Sequence, residues 1–347
     1  MKHKNIILTL TVSVVVLLAG FPPLFGGDPA RVGTAGGMQL QVPVGARDLA
    51  MGGANVANSS ELEAIYWNPA GLATMQNNAQ VQFSTMTIFT DIRVNYLALA
   101  AKFGRLGTIG FSLKAFDFGD IPFTTIEDMD GKSGRTFSPT FVTTGLTYSK
   151  RLTERIQIGV NGKLIYESIP RLSATTFAFD AGLQYHELGG IHGLSFGVAL
   201  KNIGGSLQYK GSGLIQQGNL EGTIRTGDFV SIPSAKNELP ASVELGLGYV
   251  RNINEENMVL FAGRFLNNNF SHDAYNLGVE YSYKGMFSLR AGYNYQPTLD
   301  SEYQEYRFTA GAGVNLQLGN TTLVIDYAFR DSQYFNGNNM FSLKIGF

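Results

Sequence analysis

The amino-acid sequence predicts an all-β protein, a transmembrane antiparallel β-barrel of about fourteen strands with an N-terminal hatch segment. Three observations lead there. From residue 80 to the end, apolar and small or polar residues alternate in segments of about ten, as they do where lipid-facing and lumen-facing side chains alternate along a barrel strand. After the leader there is no second run of about 18 apolar residues, which excludes helical membrane spans. Only 15% of the residues are charged although 44% are hydrophobic and 12% aromatic, against about 25% charged in a soluble globular protein. A barrel accounts for that shortfall because lipid replaces water on its outer wall. The 42 glycines suit strands that coil sharply or must clear a crowded lumen.

In chain order, the first element is a leader. Lys2 and Lys4 precede an apolar run over 6–18 and then small residues around Ala19 and Gly20, the pattern of an export signal. The run is shorter than the roughly 20 residues a spanning helix requires. Residues 1–26 are assigned to this signal peptide, with cleavage open anywhere from 19 to 27. The absence of cysteine excludes a disulfide framework, a lipobox and thiolate metal sites. A net charge of −1 gives no electrostatic case for nucleic acid.

Residues 27–78 lack strand alternation and are too long for a linker. Ser60 reads as the N-cap of a short helix over 61–66. The helix ends at Trp67-Asn68-Pro69-Ala70-Gly71, where Pro69 blocks continuation and Gly71 lets the chain reverse. Placed just before the barrel, this segment is expected to fold into it as a hatch, with Trp67 anchoring it against the wall.

The barrel is assigned to 79–347. Its strands are expected at 80–89, 93–103, 108–118, 139–149, 155–167, 176–187, 193–202, 241–251, 257–266, 274–283, 286–295, 306–316, 321–330 and 340–347. The alternation is plain in the tenth, where Tyr275, Leu277, Val279, Tyr281 and Tyr283 stand opposite Asn276, Gly278, Glu280 and Ser282. A soluble β-sandwich has the same period, but its polar faces would carry more Lys and Glu than these rows of Ser, Gly and Asn. Connection lengths agree with an even strand count. Even-numbered connections are short, whereas the odd-numbered ones include 119–138, 203–240, 296–305 and 331–339. Short turns belong on the periplasmic side of an outer-membrane barrel, so both termini are expected in the periplasm and the long loops outside the cell. Phe347 ends the last strand, and an aromatic C-terminus resembles the assembly signal of outer-membrane barrels.

The same alternation turns Lys163, Glu244, Glu280, Arg290, Asp326 and Lys344 inward. A selectivity ring would show one sign, so this mixed set is expected to pair internally and with Arg47, Asp48 and Glu61 of the hatch. Catalytic and cofactor chemistry find little support. His3 leaves with the leader, and His186, His192 and His272 do not lie at metal-ligand spacing. No outward-facing Ser and His on adjacent strands is evident for a barrel phospholipase. The Asp128-x-Asp130-Gly131 element lacks the Glu that closes a calcium loop, Pro139 standing at position 12, and reads as a polar turn. The chain is therefore not expected to be an enzyme or to need a cofactor or metal.

Val44-Gly45-Ala46-Arg47, Met51-Gly52-Gly53-Ala54 and Ile65-Tyr66-Trp67-Asn68-Pro69-Ala70-Gly71-Leu72 resemble the N-terminal signature of the PorV/PorQ family of outer-membrane proteins. These are similar in turn to FadL-type transporters with a fourteen-stranded barrel and a hatch. Further matches lie at Phe179-Asp180-Ala181-Gly182-Leu183 and Leu200-Lys201-Asn202-Ile203-Gly204-Gly205, and at Leu239-Pro240. The resemblance implies a role in type IX secretion: binding or shuttling secreted cargo, with the translocon barrel and cargo C-terminal domains as partners beside outer-membrane lipid. The long 203–240 loop departs from what is familiar in the family. The alternative is a FadL-like transporter that passes a hydrophobic small molecule, or binds detergent in its place, with Ile121, Phe123, Leu214 and Ile215 lining an access groove.

Overall fold

The structure, a computed structural model, describes residues 31–89, 91–218 and 227–347. The leader expected at 1–26, with Lys2 and Lys4, lies outside the described residues, as does the middle of the 203–240 loop.

Fourteen antiparallel strands close into one barrel. They are β1 Ala79–Ile88, β2 Ile92–Lys102, β3 Thr108–Asp117, β4 Thr140–Arg151, β5 Ile156–Ile169, β6 Leu172–His186 and β7 Leu194–Gly204, followed by β8 Ser242–Asn252, β9 Asn257–Asn268, β10 Ala274–Tyr283, β11 Phe287–Tyr295, β12 Phe308–Leu318, β13 Thr321–Arg330 and β14 Asn338–Gly346. Each strand pairs with its neighbours in sequence. The ring closes where β1 meets β14, with Gln80 opposite Gly346, Phe83 opposite Leu343 and Thr85 opposite Phe341. Closure leaves no unpaired sheet edge, a requirement in lipid, where unsatisfied backbone groups have no water to turn to. The expected strands and the observed ones agree to within four residues at every end.

Side-chain period two sets the two faces. On β10 Tyr275, Leu277 and Tyr281 are exposed on the outer wall while Asn276, Glu280 and Ser282 are buried inside. The long connections gather at one end of the barrel and the short turns at the other. Two of the long connections form small hairpins, Ile121–Pro122 with Thr136–Phe137 and Ile215–Gly218 with Asp228–Ser231.

The N-terminal segment fills the lumen with short helical turns: Met38–Gln41, α1 Ala46–Ala50, Glu61–Glu63, α2 Ala64–Trp67 and Pro69–Thr74. Hydrogen bonds tie it to strands around the ring. The Ala46 N–H donates to Ser342 Oγ on β14 (2.9 Å), and Thr309 Oγ1 on β12 to the Ala50 carbonyl (2.9 Å). Ser149 Oγ on β4 donates to the Ala70 carbonyl (2.8 Å), and Gln184 Nε2 on β6 to the Ser59 carbonyl (2.8 Å). Apolar contacts join them, with Ala46, Leu49 and Trp67 packed against Met86, Ile88, Val94, Ala328 and Met340 of the wall. At Gly159 on β5 a Cβ would drive into the Pro69 carbonyl, so part of the glycine content clears the lumen for the plug.

Three local expectations are corrected. The helix expected over 61–66 is a tight 3₁₀ turn at Glu61–Glu63 running into α2. Ser60 makes no capping bond; its hydroxyl accepts from Arg47 Nη1 instead (2.9 Å). Gly71 does not reverse the chain but sits inside the Pro69–Thr74 turn, where the Ser59 carbonyl comes too close for any Cβ. The true cap is Asn68, whose Oδ1 accepts the Ala70 N–H (3.2 Å) with Pro69 at the first position of the turn.

Candidate functional site

The six inward charges form two networks, and both include residues the alternation alone did not single out. In the first, Arg47 of the hatch grips Glu280 with two bonds, 2.9 and 2.8 Å. Arg290 contacts Glu280 (2.5 Å) and Asp326 (2.6 Å). Lys344 pairs with Glu61, so β14 also holds the hatch by charge. Asp48 departs from expectation by meeting no wall charge in an ion pair. It accepts from Asn55 Nδ2 (2.7 Å) and Ser59 Oγ (2.5 Å). In the second network Lys163 meets Asp180 (2.6 Å) and Asn202. Lys201 (3.1 Å) and Arg264 (2.9 Å) share Glu244. Here the Phe179-Asp180-Ala181 and Leu200-Lys201-Asn202 motifs come together. A β-bulge sets Asp180 against both Lys201 and Asn202, and the Asn202 N–H donates to Asp180 Oδ1 (2.8 Å).

The Arg290 pairs with Glu280 and Asp326 and the Lys201 and Arg264 pairs with Glu244 are buried on the lumen side, where removal of one partner costs about 3–5 kcal/mol because the other is left uncompensated; Lys344–Glu61 is only partly buried. Within the hatch, Glu63 Oε2 accepts the Asp48 N–H (3.0 Å) and Oε1 the Arg47 N–H (3.2 Å). Burial, reinforced by the Asp48 and Asp326 carboxylates, pushes the Glu63 carboxyl up to about 8.

Above the hatch, at the long-loop end, lies a cavity of about 550 Å³. Its floor is the hatch itself: Leu40, Val42, Leu49, and the rings of Tyr66 and Trp67 set edge to face at 5.0 Å. Trp67 Nε1 donates to the Val44 carbonyl (2.9 Å), so the indole is fixed within the plug as well as packed on the wall. Lys201 Nζ lies 4.5 Å from the Tyr66 ring centre and the Arg264 guanidinium 5.7 Å from that of Trp67. Ile88, Leu266, Leu299 and Tyr303 supply apolar wall. Arg330 stands in the wall 3.7 Å over the Tyr306 ring, without an ion pair among the described residues. The cavity thus joins apolar surface to Lys163, Lys201, Arg264 and Arg330 and to the acids Glu244 and Glu305, with Lys163, Lys201 and Arg264 already paired. It suits a segment or molecule with an apolar body. Sequence reasoning missed Lys201, Arg264 and Arg330; they occupy inward positions of β7, β9 and β13 and were legible by parity.

Of the apolar loop residues expected to line an access groove, Ile121, Phe123 and Leu214 are half-buried and Ile215 is exposed; outside that set, Ile126, Met129 and Phe229 are 74–90% exposed. Asp128 accepts the Lys132 and Ser133 N–H groups (2.9 and 2.7 Å), closing a turn. Those bonds hold its carboxyl below the usual range. A Ser and His on adjacent strands does exist, His186 Nδ1 lying 3.0 Å from Ser195 Oγ. It faces the lumen at the short-turn end, beside Asn58, and His186 Nε2 is buried without a hydrogen-bond partner among the described residues.

A closed fourteen-strand barrel plugged by its own N-terminus defines the FadL-like class of outer-membrane proteins. The solved structures agree. The Ralstonia pickettii toluene transporter TbuX (TM-score 0.54, 14% identity, 87% of this chain and 97% of that one), the Pseudomonas putida toluene transporter TodX (0.52, 14%, 87% and 97%) and a Pseudomonas aeruginosa FadL homologue (0.51, 14%, 88% and 98%) share the fold. No curated protein sequence matches the chain. The sequence profile described as type IX secretion system protein PorV matches residues 28–247, and the chain belongs to the PorV family.

Proposed function

We propose that this outer-membrane barrel binds secreted or partner proteins of type IX secretion at its long-loop end, with the cavity above the hatch receiving part of the bound chain. The observation that carries the reading is the family match over 28–247, which takes in the hatch and most of the cavity floor. Long loops outside the cell and short turns with both termini in the periplasm follow from the connection lengths. Exposed Ile126, Met129 and Phe229 provide apolar contact for a protein surface. Asn68-Pro69-Ala70-Gly71 and the paired lumen charges keep the hatch shut, so traffic in this reading is binding and hand-over at the mouth. Deleting the gene and assaying surface proteomes tests it. Loss of proteins that carry type IX C-terminal domains is expected, and their unchanged display overturns the proposal.

The apolar part of the cavity lining supports one second reading, a transporter for a hydrophobic small molecule. An uptake defect in the deletion strain, with surface display intact, would select it.

A further inference from the structure

The short-turn rim carries a charge asymmetry that neither reading uses. Between Lys102 and Arg155 two neighbouring turns present Lys102, Arg105, Lys150, Arg151 and Arg155 against the single acid Glu154. Arg155 is paired with Glu187 (3.0 Å), Lys102 Nζ donates to the Gln76 carbonyl (3.3 Å) and Arg151 stands on the inner face opposite buried Gln157, which leaves Arg105 and Lys150 turned outward with no ion pair among the described residues. Elsewhere on this rim the charges balance, Lys284 pairing with Glu256 (3.2 Å) and Arg251 standing on β8, whose following turn holds Glu255 and Glu256.

The two basic turns form one preset corner. Phe103 N–H donates to the Gly107 carbonyl (2.8 Å) and Tyr148 OH to the Leu106 carbonyl (2.6 Å), pinning the first turn to β4. Gly107 has φ +121° and lies against the Ser149 carbonyl, at a distance no side chain would allow. The second turn is closed by the Leu152 N–H on the Ile156 carbonyl (2.9 Å). Apolar side chains rise out of the same corner: Leu106 is 72% exposed, Leu152 54% and Phe103 51%. Directly along the outer wall, Ile109 stands opposite Tyr148, Tyr148 opposite Val160, and Lys150 opposite Ile158, all four uncharged partners exposed. A row of cations at the edge of a continuous apolar strip matches a molecule whose anionic head sits at the interface and whose tail lies on the wall.

We propose that this corner binds an anionic glycerophospholipid, its phosphate held by Arg105 and Lys150 and an acyl chain laid on Ile109, Tyr148, Ile158 and Val160. The choice of glycerophospholipid over lipopolysaccharide rests on the periplasmic placement of the short turns proposed above; the partner-binding end of the barrel is not involved.

Purified full-length protein in detergent is titrated with phosphatidylglycerol, phosphatidylcholine, lipopolysaccharide or inorganic phosphate, and retained ligand is counted by native mass spectrometry. Phosphatidylglycerol is expected to be retained in preference to the other three. R105E/K150E should weaken that retention at least about ten-fold, at roughly five-fold per charge brought near an anionic head, and R251E/K284E elsewhere on the same rim should leave it unchanged. Folded barrel is verified by its heat-modifiable gel mobility, and R105Q/K150Q replaces the charge-reversed variant where that one does not fold. Equal retention of phosphatidylcholine, preference for lipopolysaccharide or free phosphate, or equal loss in both sets of variants overturns the proposal.

Discussion

Asn68 spends its whole amide on holding the plug. Its Nδ2 donates to the Val56 carbonyl (2.9 Å) and to the Leu183 carbonyl of β6 (3.2 Å), while its Oδ1 caps the Pro69–Thr74 turn. The residue is fully buried, so Asn68→Ala removes a partner from the Leu183 carbonyl and the Ala70 N–H and leaves the Val56 carbonyl with Gln184 Nε2 (3.1 Å). The expected cost is about 2–4 kcal/mol of hatch stability. Hydrogen exchange should rise over 55–74 with the strands unaffected; protection as in the unaltered protein would show that Pro69 and the packing alone keep the turn. The Asn-Pro-Ala-Gly signature was visible in the sequence, but its reason was not. Asn68 looked like the end of one helix, whereas it caps the next turn and reaches the wall 115 residues away. Ser60 misled in the opposite sense, because a serine at a helix start is a good cap only if the Arg47 side chain does not claim it first.

At the scale of elements, strands were legible and the plug's contacts were not. Period-two alternation is a local signal, repeated on every strand, and it placed Glu244, Glu280, Arg290 and Asp326 on the inner face by parity. Which charges meet is decided by the hatch, whose contacts join residues more than 200 positions apart, such as Arg47 with Glu280 and Lys344 with Glu61. No spacing rule covers that distance. The bulge that sets Asp180 against Lys201 and Asn202 was equally hidden, since it shifts register without altering composition. One consequence for the hatch is a dependence on pH. Glu63 has an ordinary value of 4.5 and is held at about 8 in the fold, so the folded hatch binds this proton more tightly than an unfolded one does. Its favourable contribution is full below about pH 4.5 and is lost as pH rises to about 8. Protease resistance of the hatch should accordingly fall across that window in the unaltered protein and stay flat in Glu63→Gln. An identical fall in the variant would assign the pH response to another group.

For the whole molecule, closure and plugging divide the work. The last residue accepts the Asn78 N–H (2.9 Å) through its carbonyl and donates its own N–H to the Ala79 carbonyl (2.8 Å), joining the two ends of the barrel chain, while the Phe347 ring stays 57% exposed on the lipid side. Phe347→Asp leaves those backbone bonds available and changes only the outward group. We expect it to lower the amount of inserted barrel several-fold without changing which proteins bind; normal insertion would make Phe347 one more lipid-facing residue. Since the lumen is filled by the hatch, the proposed function places recognition at the cavity mouth and the loops around it. The most direct measurement is site-specific photocrosslinking in cells from Met129 and Tyr303 at the long-loop end, with Leu318 at the short-turn end as the reference. Crosslinks to secreted proteins bearing type IX C-terminal domains from the first two positions and not from Leu318 are what the account predicts. Such crosslinks absent from Met129 and Tyr303, or equally strong from Leu318, would contradict it.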